Sequence, residues 1–296
     1  MSVYHIIDVS KWQGVIDWER VKAAGIDGAM LRAGYGDGNI DEQFVRNAAA
    51  CNRLGIPIGV YWFSYAWTNE MARREAAHCL AAVAGLRVQL PIAFDWEYDS
   101  MDRAKQNGVT PGKAEITGYA EAFLSAIDAA GYYAANYTNL DYLTRYFDGD
   151  KLKQYDVWLA AYRDTRPAAR HNMWQYTSKG RVDGIAGNVD CNRAYVHYPS
   201  LIAAAGKNHL EGELDMTKEE LVSIAGTGDH PSAWAREATA WAKANGILNG
   251  DGNGNYGWDR PITREAQVVM LYNMESHIVE TLTNAIGEKL REILRK

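Results

Sequence analysis

The stretch Pro91-Ile92-Ala93-Phe94-Asp95-Trp96-Glu97 decides how this chain folds. It opens apolar and closes on two acids, and it is too short for a buried helix, so it reads as a buried strand with a polar end. Upstream, 69–84 has a helical pattern and stops before Gly85. Downstream, 111–130 starts with Thr110 as N-cap and Pro111 at the first helical position, and stops before Gly131. These are the expected start and stop signals of helices. A strand set between two long helices is the repeating unit of a parallel sheet.

The same unit recurs outward from this point. Strand candidates fall at 4–9, 28–33, 57–63, 91–97, 133–138, 157–162, 173–177 and 188–192. Further helical patterns lie at 17–24, 41–54 and 140–147, and after them the strands crowd together. Eight strands with about five helices predict an α/β fold, a β/α barrel whose last strands lack full helices. Barrels of this kind place their chemistry at the C-terminal ends of the strands. The catalytic barrel is expected over 1–197 and a linker over 198–228, with a small, mainly helical domain beyond.

Composition narrows the function. The chain has 296 residues, 47% hydrophobic and 23% charged, which suffices for a real core. Its net charge of −6 argues against nucleic acid as a partner. The 3 cysteines, Cys51, Cys79 and Cys191, are odd in number and form no CxxC pair, so neither a disulfide scaffold nor structural zinc is expected. No apolar stretch is long enough to span a bilayer. The opening MSVYHIIDVS has no basic or apolar leader region, so synthesis in the cytoplasm without a signal peptide is expected. The 10 Trp and 18 Tyr, against 5 Phe, supply flat faces with polar handles that suit sugar rings as well as cores.

In the opening stretch, alternation puts Asp95 and Glu97 on one face of the strand, about 6.5 Å apart at Cα. Like charges that close raise the pKa of one group and keep it protonated. A protonated acid beside an ionised one is what glycoside hydrolysis requires. Asp8 ends the first strand candidate in the same way, and Asp190 lies in the last, which pairs with the first in a closed barrel. Four acids thus converge on one barrel mouth. No cofactor or metal is called for; the Asp251-Gly252-Asn253 loop lacks the sixth-position Gly and twelfth-position Glu of a calcium loop.

These residues resemble glycoside hydrolase family 25 lysozymes. Asp8-Val9-Ser10-Lys11-Trp12-Gln13-Gly14 is similar to the family's opening motif. Gly59-Val60-Tyr61-Trp62-Phe63, Asp95-Trp96-Glu97, Tyr137-Thr138-Asn139, Trp174-Gln175-Tyr176 and Val189-Asp190 match its later strand ends in order. The resemblance implies an N-acetylmuramidase, of the kind found in phage endolysins, that cuts the β-1,4 bond between N-acetylmuramic acid and N-acetylglucosamine in peptidoglycan. It implies Glu97 as general acid, Asp95 stabilising charge or orienting the substrate's N-acetyl group, and Asp8 and Asp190 shaping the cleft. Retention assisted by the substrate comes from the resemblance alone. Such an enzyme acts on the wall after release.

Tyr61, Tyr137, Trp174, Gln175 and Tyr35 are the candidate sugar contacts, whereas Trp62, Trp96 and Trp158 read as core. Arg32 suits either a muramyl carboxylate or a structural ion pair. A barrel glycosidase on a chitin-like polymer and a catalytically silent wall-binding protein are the alternatives.

The C-terminal third resembles one S-layer-homology module over 229–275, carried by Pro231-Ser232-Ala233-Trp234, Ala244-Asn245-Gly246 and Pro261-Ile262-Thr263-Arg264. Its Arg264 is a candidate contact for an acidic secondary wall polymer. The tail, 276–296, has an apolar stripe that packs on its own domain or pairs with another chain, giving a homo-oligomer. Glu211-Gly212-Glu213 is encodable by a purine-rich, ribosome-binding stretch just before Met216, so a shorter product starting at Met216 is expected to join the assembly.

Overall fold

The computed structural model describes residues 3–210, 236–245 and 247, and residues 274, 278, 279 and 283. Met216, Arg264, the 249–257 loop and most of the tail lie outside the described residues. Contacts divide the chain into two compact units, Met1–Asp215 and Met216–Lys296. In the second unit the described helix is α8 (Arg236–Ala244), where Trp241 is exposed. Among the described residues no helix is long and apolar enough to cross a membrane.

The first unit alternates strands and helices in the order β1 (Tyr4–Val9), α1 (Trp18–Ala23), β2 (Gly28–Tyr35), β3 (Asn39–Ile40), α2 (Phe44–Leu54), β4 (Ile58–Phe63) and α3 (Asn69–Val83). It continues through β5 (Ile92–Asp95), α4 (Tyr98–Gln106), α5 (Lys113–Ala129), β6 (Ala134–Asn139), α6 (Leu140–Arg145), β7 (Asp156–Ala160), β8 (Met173–Gly180), β9 (Val189–Ala194) and α7 (Tyr198–Ala204). The sheet closes because β1 pairs with both β2 and β9, and β3 is a short arm on β2. The expected eight-stranded barrel is therefore present.

Two features differ from the expectation. The sheet is not parallel throughout, since β9 runs antiparallel to both β8 and β1. The connection 181–188 is shorter than the dozen or so residues a crossover helix needs, so the chain doubles straight back. There are also more helices than the five expected. α4 follows β5 at once, because the strand stops at Asp95 and Glu97 is the helix N-cap. α7 lies in the region expected to be linker, and 198–210 belongs to the barrel: Tyr198, Ile202 and Leu210 are buried with the barrel-interior cluster. Asn208 pins this segment, donating from Nδ2 to the carbonyls of Val88 and Leu90 (3.1 Å each) and accepting from the Tyr133 amide at 2.6 Å.

Strand alternation sorts side chains into two shells. Ile7, Val60 and Phe94 face outward into the helix layer with Phe123 and Ile116 of α5. Ile6, Met30, Ala93, Ala135, Trp158 and Ala194 face inward. Gly59 also belongs to the interior, where an added Cβ would lie 2.5 Å from Met30 Sδ and 2.6 Å from the Pro91 carbonyl. By the same period of two, Asp8 follows Ile6 inward, Asp95 follows Ala93, and Asp190 and Asn192 precede Ala194. The acids are thus aimed into the mouth of the barrel.

Candidate active site

Asp8, Asp95, Glu97 and Asp190 line one cavity of about 220 Å³, together with Arg32, Tyr61, Tyr137 and Gln175. Asp8 and Asp95 come from the C-terminal ends of β1 and β5. Asp190 sits near the N-terminal end of β9, opposite Asp8 in the ladder. It reaches the mouth because β9 runs the other way, not because it ends a parallel strand.

Glu97 is held from behind. Its amide donates to Ser100 Oγ at 3.0 Å, and that hydroxyl donates to the Ser64 carbonyl at 2.6 Å. Between the two acids, Trp96 is fully buried and donates to the Ala66 carbonyl at 2.9 Å. The chain therefore cannot slide at Asp95-Trp96-Glu97. The Asp95 and Glu97 carboxyls are hydrogen-bonded to each other. Burial pushes Glu97 up to about 7. Asp95 is raised well above the ordinary range by burial and by the neighbouring charge of Glu97. Asp95 Oδ1 is buried without a hydrogen-bond partner, which penalises its anion further. Glu97 is partly exposed and Asp95 is buried, so Glu97 is the member of the pair that can meet a ligand.

Asp8 and Asp190 form a second pair. Asp8 is raised by burial and then by the Asp190 charge; Asp190 is raised by burial, offset by its hydrogen bond to Asp8. Asp8 Oδ2 accepts from Gln175 Nε2 at 2.9 Å and from Asn192 Nδ2 at 2.8 Å. Gln175 Oε1 accepts from the hydroxyls of Tyr137 and Tyr162, 3.0 Å each. Asn192 Oδ1 accepts from Trp158 Nε1 at 2.7 Å. This network leaves Gln175 and Asn192 no freedom to rotate, so Asp8 is fixed at the floor of the cavity.

Other candidates are placed differently. Arg32 lines the cavity, yet its guanidinium is paired with buried Asp41 at 2.7 Å, so the structural ion pair is present. Asp41 also accepts from the Lys11 amide at 3.0 Å. Tyr35 lines the adjoining cavity with Trp12 and Tyr65. Trp174 is not in the acidic cavity: alternation turns it away from Gln175, and it is almost wholly buried, with Nε1 donating to the Ala161 carbonyl at 2.8 Å. Trp62 and Trp96 are core as expected, whereas Trp158 is buried and also lines the cavity.

The cavity also contains residues that had not been singled out. Trp12, at 77% exposure, and Tyr162, at 60%, are the broad exposed faces at its rim. Trp12 lay inside the opening motif, and Tyr162 closed a strand candidate, so both carried a usable signal. Asn192 carried one as well, two residues after Asp190 on the same face.

The sequence model described as Glycosyl hydrolases family 25 matches residues 7–185. The chain belongs to that family. Family 25 membership makes the barrel a glycoside hydrolase acting on peptidoglycan. Lysozyme M1 of Streptomyces globisporus is 28% identical over 211 residues, covering 67% of this chain and 70% of that protein. The modular autolysin LytC from Streptococcus pneumoniae, solved with a synthetic peptidoglycan ligand, is 29% identical with a TM-score of 0.58; the match covers 65% of this chain and 47% of LytC. The chain thus spans about half the length of that autolysin. The CTP1L endolysin has the same barrel fold, with 23% identity, a TM-score of 0.56, and coverage of 68% of this chain and 70% of its own. An S-layer homology domain model matches residues 227–266.

Proposed function

We propose that the barrel cleaves the β-1,4 bond between N-acetylmuramic acid and N-acetylglucosamine, with Glu97 as general acid and Asp95 orienting the substrate's own N-acetyl group. The observation that carries this reading is the state of Glu97, a mostly buried carboxyl that still reaches the cavity and is held near pKa 7 by burial. Such a group is protonated when the enzyme meets its substrate at or below neutral pH and can release the proton in the transition state. The direct contact between Asp95 and Glu97 bears on the course of the reaction. Carboxyls that flank a scissile bond stand about 5 Å apart or more. Two that touch lie on one side of it, which leaves the opposite face to the substrate's N-acetyl oxygen. Asp8 and Asp190 hold the cleft, and Trp12, Tyr61 and Tyr162 offer ring faces to the sugars.

The test is digestion of purified walls followed by reducing-end analysis. New N-acetylmuramic acid ends are expected, with activity falling as pH rises through about 7. Glu97→Gln should lose about 10³-fold in kcat with the fold intact. N-acetylglucosamine ends, or an equally active Glu97→Gln, would end the muramidase reading.

The C-terminal third completes the proposal as a wall-binding part of a phage endolysin, with Arg264 meeting an acidic secondary wall polymer. We place the assembly of that part in a homo-oligomer that includes a shorter product beginning at Met216. Its support is Glu211-Gly212-Glu213 just upstream and the division of contacts between Asp215 and Met216. The CTP1L endolysin, of the same barrel fold, is described as regulated by a secondary translation product. Intact-mass measurement of the expressed protein should show both species; full-length chain alone would remove this part.

A further inference from the structure

The outer faces of β8 and β9 carry a site of opposite charge to the acidic mouth. Elsewhere on the barrel, outward side chains sit beneath helices. The connections 161–172 and 181–188 contain no helix, so this part of the sheet has no such cover. Trp174 and Arg193 are ladder partners there, and they alternate with Gln175 and Asn192, which point inward. Together with Tyr176, Arg163 and Lys179 they line a cavity of about 630 Å³, larger than the acidic one.

This cavity is built for anions. The Arg193 guanidinium carbon lies 4.6 Å from the Tyr176 ring centre and 5.6 Å from that of Trp174. Arg163 Nε donates to the Thr165 carbonyl at 3.1 Å. Among the described residues, Arg163, Lys179 and Arg193 have no ion-pair partner, and Asp164 is the only acid in the wall. Three unpaired cations clustered on a chain of net charge −6 argue against a neutral or cationic ligand. The cavity also adjoins the cleft, since Tyr162 lines both.

We propose that this cavity binds the peptide stem of the peptidoglycan strand through its free carboxylates while the glycan lies in the acidic cleft. The proposal rests on the peptidoglycan reading given above. A stem branches from the glycan at the muramyl lactyl group, and the neighbouring cavity, which shares Tyr162 with the cleft, is positioned to receive it. A guanidinium and an ammonium group pair with its carboxylates, and the partly buried ring of Tyr176 takes its short aliphatic side chains. The volume falls within the range of pockets that hold a ligand of a few residues.

The experiment compares two substrates, glycan strands bearing their stems and the same strands with stems removed at the lactyl amide. Wild-type enzyme should have the lower KM on stem-bearing strands, and added salt should shrink that advantage. The double variant Arg193→Gln with Lys179→Gln should raise KM on stem-bearing strands about fivefold or more, with kcat unchanged on both substrates and KM unchanged on stripped strands. Arg193→Lys should retain most of the affinity, which separates charge from lost packing. Equal effects on both substrates would overturn the proposal. So would a loss seen only when a phosphate-bearing wall polymer is left attached, which would assign the cavity to that polymer. If wild-type enzyme cuts neither substrate, the peptidoglycan reading itself has failed, which is a different result.

Discussion

The two sides of the barrel solve the same closure problem differently. Apart from the short arm β3, the strands from β1 to β8 pair in parallel, with helices in most of the connections between them. At β9 the ladder turns antiparallel, and the connections on either side of β8 carry no helix. The covered side buries its outward face in a thick apolar layer, and it supplies the Asp95–Glu97 pair at a strand-to-helix junction locked by Trp96 and Ser100. The open side supplies Asp190, Asn192 and Gln175, which are held by polar contacts to one another and to Asp8. Rigidity comes from packing on one side and from hydrogen bonds on the other. The open side can therefore present its outer surface to a ligand, while the covered side cannot.

The largest effect that would sharpen this contrast is on stability. Phe123 of α5 is fully buried, and its ring centre lies 5.2 Å from that of Phe94. Phe123→Ala should cost about 4 kcal/mol in denaturant unfolding, the loss expected for a large cavity. Tyr176 of β8 is only partly buried. Tyr176→Ala should cost less than half as much, and equal costs would erase the distinction between the two sides.

A smaller effect tests the covered side for tolerance of buried charge. Glu75 of α3 is 2% exposed, accepts from the Tyr65 amide at 2.9 Å, and has its Oε2 unpartnered. Burial pushes it from 4.5 to about 7. The folded chain thus keeps a proton that the unfolded chain gives up. The resulting stabilisation is complete below pH 4.5 and is lost as pH rises through 7. Glu75→Gln keeps the hydrogen bond from Tyr65 and removes the ionisation. It should match wild type near pH 4 and exceed it by about 3 kcal/mol at pH 8. Thermal melts across that range decide the matter; an unchanged difference at both ends would mean that Glu75 does not titrate in this window.

How much of this was legible follows from the period of two. Asp8 and Asp95 could be placed because Ile6 and Ala93 share their faces. Asp190 was assigned to the right mouth through the wrong strand direction, because no local pattern tells an antiparallel return from a parallel one; the length of 181–188 does. Glu97 was placed on the Asp95 face as though the strand ran on, yet it is the N-cap of a helix. Residues 98–106 are mostly polar, and with the acid counted into the strand the start of α4 was hidden. Trp174 and Gln175 are both attractive as sugar contacts by residue type, yet adjacent strand residues cannot both point into the barrel, and Gln175 is the one that does. Residues 198–210 looked like linker because the partners of Asn208 lie more than seventy residues away in sequence. Exposed rims depend on loop conformation, which the period of two does not give, so Tyr162 at the rim is not placed by it.

The smallest effect concerns that rim, where the covered side meets the ligand through Trp12. Ser10 caps the short turn Lys11–Gln13 and its amide donates to Gln13 Oε1 at 2.9 Å, so the indole stands on a fixed support. Lys11 lies 5.4 Å from the ring centre and is itself tied to Glu42 at 2.9 Å. A large aromatic face left 77% exposed beside a cavity is costly to solvate and suits a sugar ring. The indole carries no group that can take or give a proton in the reaction, so its contribution should be the same in the ground and transition states. Trp12→Ala is then expected to raise KM about fivefold, roughly 1 kcal/mol, with kcat unchanged. Stripped and stem-bearing strands should suffer alike, because this contact is to sugar and lies on the covered side. A fall in kcat would place Trp12 in the chemistry, and a loss confined to stem-bearing strands would move peptide recognition away from the open side.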